Sequence, residues 1–417
     1  MARQIHKKFS DTQIKELINR YLEGKVKREH IQKVLGIGKT RFFALLKKYR
    51  QEPNFSIEYI RKNATNKIPP EVEENIMAEL TIEKKLITDP NILVRLYNYS
   101  YIKDRLASVY GQDVSLPTII SRAKAAGFYI KKKEIKAHDR EVLTNYAGEL
   151  IQHDSSHHKW SPYADNKWYL ITSLDDYSRF ILYAKLVEKE TSLAHIQALE
   201  SVILKYGLPA SYYVDSHSIF RFVQGRDSFW RKHYSLTDEA DPQWKQVLDE
   251  LGVDIIYALS PQAKGKIERP YEWIQDRLVR TCAREGISKI SDAQKVLARE
   301  INTYNYKRVH STTGEVPYYR FQRAIRQNVS LFRQFSLIPP YKSTKDIFAL
   351  RLKRIIDAYR KISISNLEIK LNSKPRETVN IRIYPLNSQV SEVRFWVKDE
   401  LIDIQKLKNS NLKMVHF

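Results

Sequence analysis

The chain is poor in sulfur and in glycine. It carries one cysteine, Cys282, in 417 residues, which excludes a disulfide framework and all but excludes a cysteine-built zinc cluster. Only 12 glycines are present, too few for long flexible linkers. No run of about 18 apolar residues occurs, so no membrane-spanning helix is expected. The first residues lack the apolar segment of a signal peptide. These absences imply a soluble, cytoplasmic protein. Negative charge is also short: 48 Asp and Glu stand against 71 Lys and Arg, a formal net charge of +23. An excess of that size, spread over several regions and without an amphipathic anchor, points to a polyanionic partner, nucleic acid before acidic lipid. The length implies roughly two to four domains.

What is present falls into blocks. Residues 1–53 read as helices. Ser10 can cap the first, with Gln13 completing a capping box, and Ile14, Leu17, Ile18, Tyr21 and Leu22 fall on one helical face. A short helix over 29–35, a Gly36-Ile37-Gly38 turn and a basic helix over 39–50 then make a helix-turn-helix pattern. Phe42, Phe43, Leu45 and Leu46 form the apolar side of that last helix. Lys39, Arg41, Lys47 and Lys48 are its candidate DNA-contacting residues. The competing reading is a plain three-helix bundle with a solvated basic face. Residues 54–70, with Pro69-Pro70, read as a linker. Residues 71–136 read as a second helical unit, helix-turn-helix or winged. It has a helix over 101–110, a Gly111-Gln112-Asp113 turn, and a further helix capped by Ser115 with Pro117 in its first turn. A helical spacer is the alternative.

Residues 137–325 change to a mixed α/β pattern. Segments 168–174 and 179–186 are strand-like around the turn Asp175-Asp176-Tyr177-Ser178. A helix over 191–206 ends at Gly207. Short strands at 211–214 and 252–259 precede a long helix over 263–283. With a first strand near Asp154, this order fits a five-stranded mixed sheet covered by helices. The polar stretch 224–243 reads as an insertion, either a lid or a DNA-contacting loop. Residues 326–360 read as a helical connector, helical over 346–359. Residues 361–417 read as short strands of a small β-barrel.

Three phrases carry chemistry. Ile151-Gln152-His153-Asp154-Ser155 and Tyr213-Val214-Asp215-Ser216 each put a lone Asp at the end of a strand-like run, where α/β sheets build sites. Ser260 through Arg269 puts Glu268 among basic residues at the start of the long helix, beside the apolar stripe Ile267, Tyr271, Ile274 and Leu278. Phosphodiester transfer needs an activated attacking oxygen and neutralised phosphate charge. Two divalent cations about 4 Å apart supply both, and hard cations take carboxylate oxygens. Such carboxylates repel one another when no metal is bound. Asp165, Asp175 and Asp176 compete with Asp154 for the first position, and Asp254 with Glu268 for the third; a turn Asp is ordinarily just a turn former. His153, His157 and His158 lack the second His pair that zinc would want.

Asp154 through Trp160, Asp175 through Arg179, Tyr213 through Arg221 and Ser260 through Arg269 together resemble the DDE transposase and retroviral-integrase superfamily. The likeness is nearest to bacterial insertion-sequence transposases of the ISNCY type. It covers the central block strongly and the flanks loosely. It implies a multidomain chain: N-terminal all-α helix-turn-helix modules, a central α/β RNase H-like integrase catalytic core, and the C-terminal small β-barrel. It implies a catalytic, metal-binding triad of Asp154, Asp215 and Glu268, and DNA contact by Gln262, Lys264 and Lys266, with Arg269 beside them. The cofactor would be Mg²⁺, two ions, with Mn²⁺ able to substitute. The partners would be double-stranded DNA, as terminal inverted repeats and target, and further copies of the chain in at least a homodimer on DNA. The expected place is the bacterial cytoplasm, at the nucleoid. The implied activity is hydrolysis at the element ends followed by joining of the 3′ hydroxyl to target DNA. A domesticated regulator with an inactive core and a plain nuclease of the same fold are the alternatives. Two departures stand out: the gap between Asp215 and Glu268 is longer than in many integrases, and the His and Cys pairs of the retroviral N-terminal zinc module are absent.

Overall fold

A computed structural model describes residues 5–57, 68–131, 144–215, 220, 242–258, 265–365 and 367–412. The chain divides into two compact units, residues 1–74 and 75–417.

The first unit holds α1 (Asp11–Leu22), α2 (Arg28–Leu35) and α3 (Lys39–Gln51). Ser10 and Gln13 close the capping box from both sides, Ser10 N donating to Gln13 Oε1 at 2.9 Å. Ile14 and Ile18 of α1, Ile31 and Leu35 of α2, and Phe42 and Leu46 of α3 meet in one core. Gly36 takes the left-handed conformation (φ +65°) that turns the chain from α2 towards α3. Phe43 departs from the expected apolar side: it is 42% exposed. Consecutive helical residues point about 100° apart, so Phe42 and Phe43 cannot share the core. Lys39, Arg41, Lys47 and Lys48 are exposed on α3, although Lys48 Nζ also donates to the Ser56 carbonyl at 3.2 Å.

The second unit opens with α4 (Pro70–Thr88), α5 (Tyr99–Tyr110) and α6 (Leu116–Ala125), the last capped by Ser115 with Pro117 in its first turn. Its sheet contains β1 (Leu150–His158), β2 (Trp168–Asp175), β3 (Ile181–Val187), β4 (Ser211–Val214) and β5 (Asp254–Tyr257). The order is β3-β2-β1-β4-β5; β1, β2 and β3 are antiparallel, and β4 and β5 run parallel to β1. This is a mixed sheet with helices. Residue parity along β2 decides which helix covers which face. Ile171 packs on Ala194 and Ala198 of α7 (Ser192–Tyr206). Leu170 and Leu174 pack with Ile274, Leu278 and Cys282 of α9 (Gly265–Glu285) and with Val296 and Leu297 of α10 (Ile290–Tyr306). Asn305 of α10 pairs with the edge strand as a strand would, exchanging two 2.9 Å hydrogen bonds with the Ile181 backbone. Where the chain enters β1, Gly148 (φ +73°) lies so close to Phe332 that a Cβ there would come within 2.6 Å of its ring.

A helix not expected from sequence, α8 (Gln243–Leu251), precedes β5 and buries Trp244, Val247, Leu248 and Leu251. Most of the polar stretch read as an insertion, 224–241, lies outside the described residues. After α11 (Pro317–Arg326) two expectations are corrected. Residues 346–359 do not form a helix: the chain makes the short α12 (Thr344–Ile347) and then the strand β6 (Leu350–Ile355). Leu350 and Leu352 sit two residues apart against Ile383 and Ile381, so the period of two prevails over helical propensity. No closed barrel forms among the described residues. The strands β6, β9 (Thr378–Pro385), β10 (Val390–Val397) and β11 (Glu400–Lys408) make an open antiparallel sheet in the order β11-β10-β9-β6. A separate hairpin pairs β7 (Lys361–Ile364) with β8 (Leu367–Lys370). Ile381, Ile383, Val393 and Phe395 belong to the same cluster as Val247, Leu248 and Leu251, so a neighbouring layer buries the face that a barrel would bury by closing on itself.

Buried ion pairs tie α4 and α5 to α9. The Arg280 guanidinium donates to Glu83 of α4, to the Leu96 carbonyl and to Asp276 at 2.8 Å. Arg284 reaches Glu79 of α4 at 2.7 Å. Arg277 joins Glu300 of α10 at 2.6 Å and Asp104 of α5 at 2.5 Å. Among the described residues no helix is long and apolar enough to cross a membrane.

Candidate active site

Asp154 lies in β1, and Asp215 directly follows β4. β1 and β4 run parallel, with Leu150 opposite Ser211, Ile151 opposite Tyr212 and Gln152 opposite Tyr213. That pairing ends two residues before each aspartate. On the other side of β1, Thr172 lies across from Asp154. Thr172 donates to the Tyr271 hydroxyl of α9 at 2.7 Å, so α9 lies over this point of the sheet. Burial raises the Tyr271 hydroxyl well above the ordinary phenol range, and the negative charge of Asp154 adds to the shift. Glu190 and Asp215 contribute further, against the opposing Thr172 hydrogen bond. Tyr271 is therefore a phenol held protonated within the field of both aspartates. It accepts a hydrogen bond from Thr172 and keeps its own hydrogen to offer to a carboxylate.

Glu268 lies on α9 three residues before Tyr271, one helical turn away and on the same side. Its side chain, like those of Lys266 and Arg269, is outside the described residues, and Gln262 and Lys264 lie outside them altogether. Among the described residues no group of three His, Cys, Asp or Glu is arranged to hold a metal ion. The described part of the site supplies two carboxylates and a phenol, an oxygen-only donor set of the kind that suits a hard cation.

The competing aspartates have other occupations. Asp175 is buried and accepts from the backbone N of Gly148 at 2.8 Å, from Ser178 N at 2.9 Å and from the Ser178 hydroxyl. Burial pushes its carboxyl up to about 6. Asp176 takes Arg179 at 2.6 Å and Thr144 at 2.9 Å. Both shape the β2–β3 turn. Asp165 is exposed in the loop before β2, and Asp254 is exposed on the edge strand β5.

The reverse face of β1 carries a hydrogen-bonded chain. Ser173 Oγ and His153 Nδ1 lie 2.9 Å apart, His153 Nε2 and His195 Nδ1 2.8 Å, and His195 Nε2 and Glu190 Oε1 3.0 Å. Ser155 also donates to Glu190. Two neutral imidazoles satisfy every link: His195 donates to Glu190, His153 donates to His195, and Ser173 donates to His153. The chain clamps β1 on both sides of Asp154, through residues 153 and 155. His157 and His158 belong to the end of β1 rather than to a loop. His157 stacks on Tyr169 at 4.1 Å, and His158 receives Gln275 of α9 at 2.7 Å. Sequence reading missed Thr172, Glu190, His195 and the role of Tyr271. Of these only Tyr271 left a signal, as a polar tip on the apolar stripe next to Glu268.

No family model matches the chain. Over 298 residues it is 27% identical to the assigned transposase y4bF of Sinorhizobium fredii (strain NBRC 101917 / NGR234), a match covering 71% of this chain and 61% of that protein. Over 171 residues it is 30% identical to the transposase for insertion sequence IS1202 of Streptococcus pneumoniae, covering 41% of this chain and 35% of that protein. Both relatives carry transposase names, and one is named for an insertion sequence. The chain spans less than two thirds of the length of either transposase. Among solved structures, the catalytic core domain of BIV integrase overlaps 43% of this chain and 98% of its own at 17% identity and a TM-score of 0.31. A simian T-cell lymphotropic virus intasome, in complex with PP2A regulatory subunit B56 gamma, overlaps 71% and 93% at 13% identity and a TM-score of 0.34. Overlays this loose leave the strand order as the description of the fold.

Proposed function

We propose that the chain is a DNA transposase of the DDE type, acting on double-stranded DNA as at least a dimer. The observation that supports this reading is that Tyr271 of α9 feels the charge of both Asp154 and Asp215, each two residues beyond the parallel pairing of β1 and β4, with Glu268 one turn away on α9. Asp154, Asp215 and Glu268 would hold magnesium, with manganese as a substitute. Bound there, such cations neutralise phosphate charge and favour a deprotonated attacking oxygen. The chain's own groups do the rest. Tyr271 and Thr172 fix the Asp154 carboxylate, and the His153–His195–Glu190 chain fixes the strand beneath it. Water attacks the phosphorus at the element end; the bond to the 3′ oxygen breaks and that oxygen leaves as a hydroxyl. The same hydroxyl then attacks a target phosphodiester, forming one P–O bond and releasing a target 3′ hydroxyl.

DNA reading falls to α3, laid in the major groove with Lys39, Arg41, Lys47 and Lys48, and to α6 as a second recognition element. The terminal inverted repeats of the chain's own element are the ligand of both. Lys264, Lys266 and Arg269 would meet the strand at the active site, with Gln262 beside them.

The test uses a duplex carrying the inverted repeats that flank the gene, a second plain duplex as target, and Mg²⁺ or Mn²⁺. Cutting followed by joining is expected. Cutting without joining would make the chain a nuclease, and binding without cutting a regulator with an inactive core. Binding should also weaken about 10³-fold or more between 50 and 200 mM salt, as for a protein neutralising six or more phosphates. A flat salt response would remove the electrostatic part of the reading. Tyr271→Phe should slow cutting about tenfold or more, the cost of a hydrogen bond to a charged group, with end binding unchanged. Cutting at the unsubstituted rate would show that the hydroxyl plays no part.

A further inference from the structure

A groove of about 1180 Å³ runs between α5, α9 and the segment after α10, and Pro270, next to Tyr271, lines it. Most of its acids are already taken. Asp104 and Glu300 pair with Arg277, Asp276 with Arg280, and Glu285 with Arg299. Glu272 is exposed on the wall. Arg308 stands apart from this bookkeeping. Its guanidinium lies 4.9 Å from the Trp273 ring centroid and 5.8 Å from that of Tyr304. Burial lowers its pKa from the ordinary guanidinium value; Tyr304 opposes that shift and the like charge of Arg277 adds to it. Its Nη1 is shielded from solvent and has no hydrogen-bond partner among the described residues. The Tyr304 hydroxyl, on a side chain 1% exposed, has none there either. Both residues line the groove, and exposed Lys307 adds a cation to it.

Two adjacent buried donors without acceptors cost about 1–3 kcal/mol each. A ligand that accepts from both, carries negative charge and tolerates aromatic walls would relieve that cost. A phosphodiester oxygen pair has that chemistry: a guanidinium braced on a ring presents its fork to phosphate in fixed geometry. Pro270 and Glu272, which flank Tyr271 on α9, line the groove, so a strand that left the acid cluster along α9 would reach it.

We propose that this groove is a backbone-phosphate site for the DNA strand held at the acid cluster, with Arg308 and Tyr304 as its donors. The inference rests on the transposase reading and extends it to how the strand is gripped beyond the scissile bond.

The test measures binding of the full chain to a fluorescein-labelled duplex of arbitrary sequence by anisotropy, across a salt series. Arg308→Gln should raise Kd about tenfold at low salt and reduce the slope of log K against log salt by about 1, as loss of one phosphate contact requires. Arg308→Lys should keep the slope. Tyr304→Phe should weaken binding a few-fold without changing it. Thermal unfolding midpoints accompany each variant. If Arg308→Gln does not fold, Tyr304→Phe decides, and unchanged binding there overturns the proposal. Unchanged affinity and slope in a folded Arg308→Gln chain, with the unsubstituted chain binding and cutting DNA, overturns the phosphate site and leaves the transposase reading standing. An unsubstituted chain that neither binds nor cuts DNA removes both.

Discussion

An Asp154→Asn chain should bind its DNA ends within about threefold of the unsubstituted chain and cut them about 10³-fold or more slowly. Asparagine keeps the size of the side chain and an amide oxygen that can accept, so chiefly the charge is lost. Asp215→Asn should behave alike, because Asp215 follows the strand that pairs with β1 and both aspartates act on Tyr271. The double variant should be little worse than either single one, since groups acting as a unit do not add. A second measurement is independent of activity. Two carboxylates that both act on Tyr271 repel when nothing neutralises them, so each Asn variant should unfold at a higher temperature than the unsubstituted chain in a chelator. With Mg²⁺ or Mn²⁺ the order should reverse. An ion at a hundred times its dissociation constant stabilises the unsubstituted chain by about 2.7 kcal/mol, and the variants should lose most of that gain. A variant that cuts at the normal rate, or that keeps the full metal-induced stabilisation, would show that these aspartates do not form the site.

The other large effect is expected far from the chemistry. Arg280→Met should destabilise the second unit by about 3–5 kcal/mol, because it leaves Glu83 in the interior without its nearest cation. The chain should unfold at lower urea than its parent. Pairing the change with Glu83→Leu should recover much of the loss, because a buried ion pair replaced by apolar groups of similar volume is often close to neutral. Failure of the pair to recover anything would mean that Arg280 acts through its bond to the Leu96 carbonyl, which anchors the segment leading into α5.

The sequence showed the acids but not what brings them together. Asp154 and Asp215 were visible as lone carboxylates after apolar runs. That β1 and β4 pair parallel just before them is spelled out by no residue of either strand. The turn aspartates were distinguishable in advance by their Ser and Tyr neighbours, and Ser178 does bind Asp175. His195 and Glu190 left no local trace, because each matters only through a contact with β1 forty residues or so away in the chain. Capping signals at Ser10 and Ser115 were readable because caps are local. The period-two run at 350–355 was read as helix because its Arg and Lys residues favour helices. Only pairing with Ile381 and Ile383 reveals the strand. Residues 244–251, between the polar stretch and the next strand, were given no element although Trp244, Val247, Leu248 and Leu251 have helical spacing.

The open C-terminal sheet also bears on how such a chain can be taken apart. Its inner residues Ile381, Ile383, Val393 and Phe395 complete the same oily interior as Trp244 and Leu248 of α8. A fragment cut before β6 would bare that surface and come out of the cell as aggregate. The tail is thus no cassette that could be exchanged between elements at will: whatever replaced it would have to present the same apolar relief, and the two parts are expected to change by matched steps.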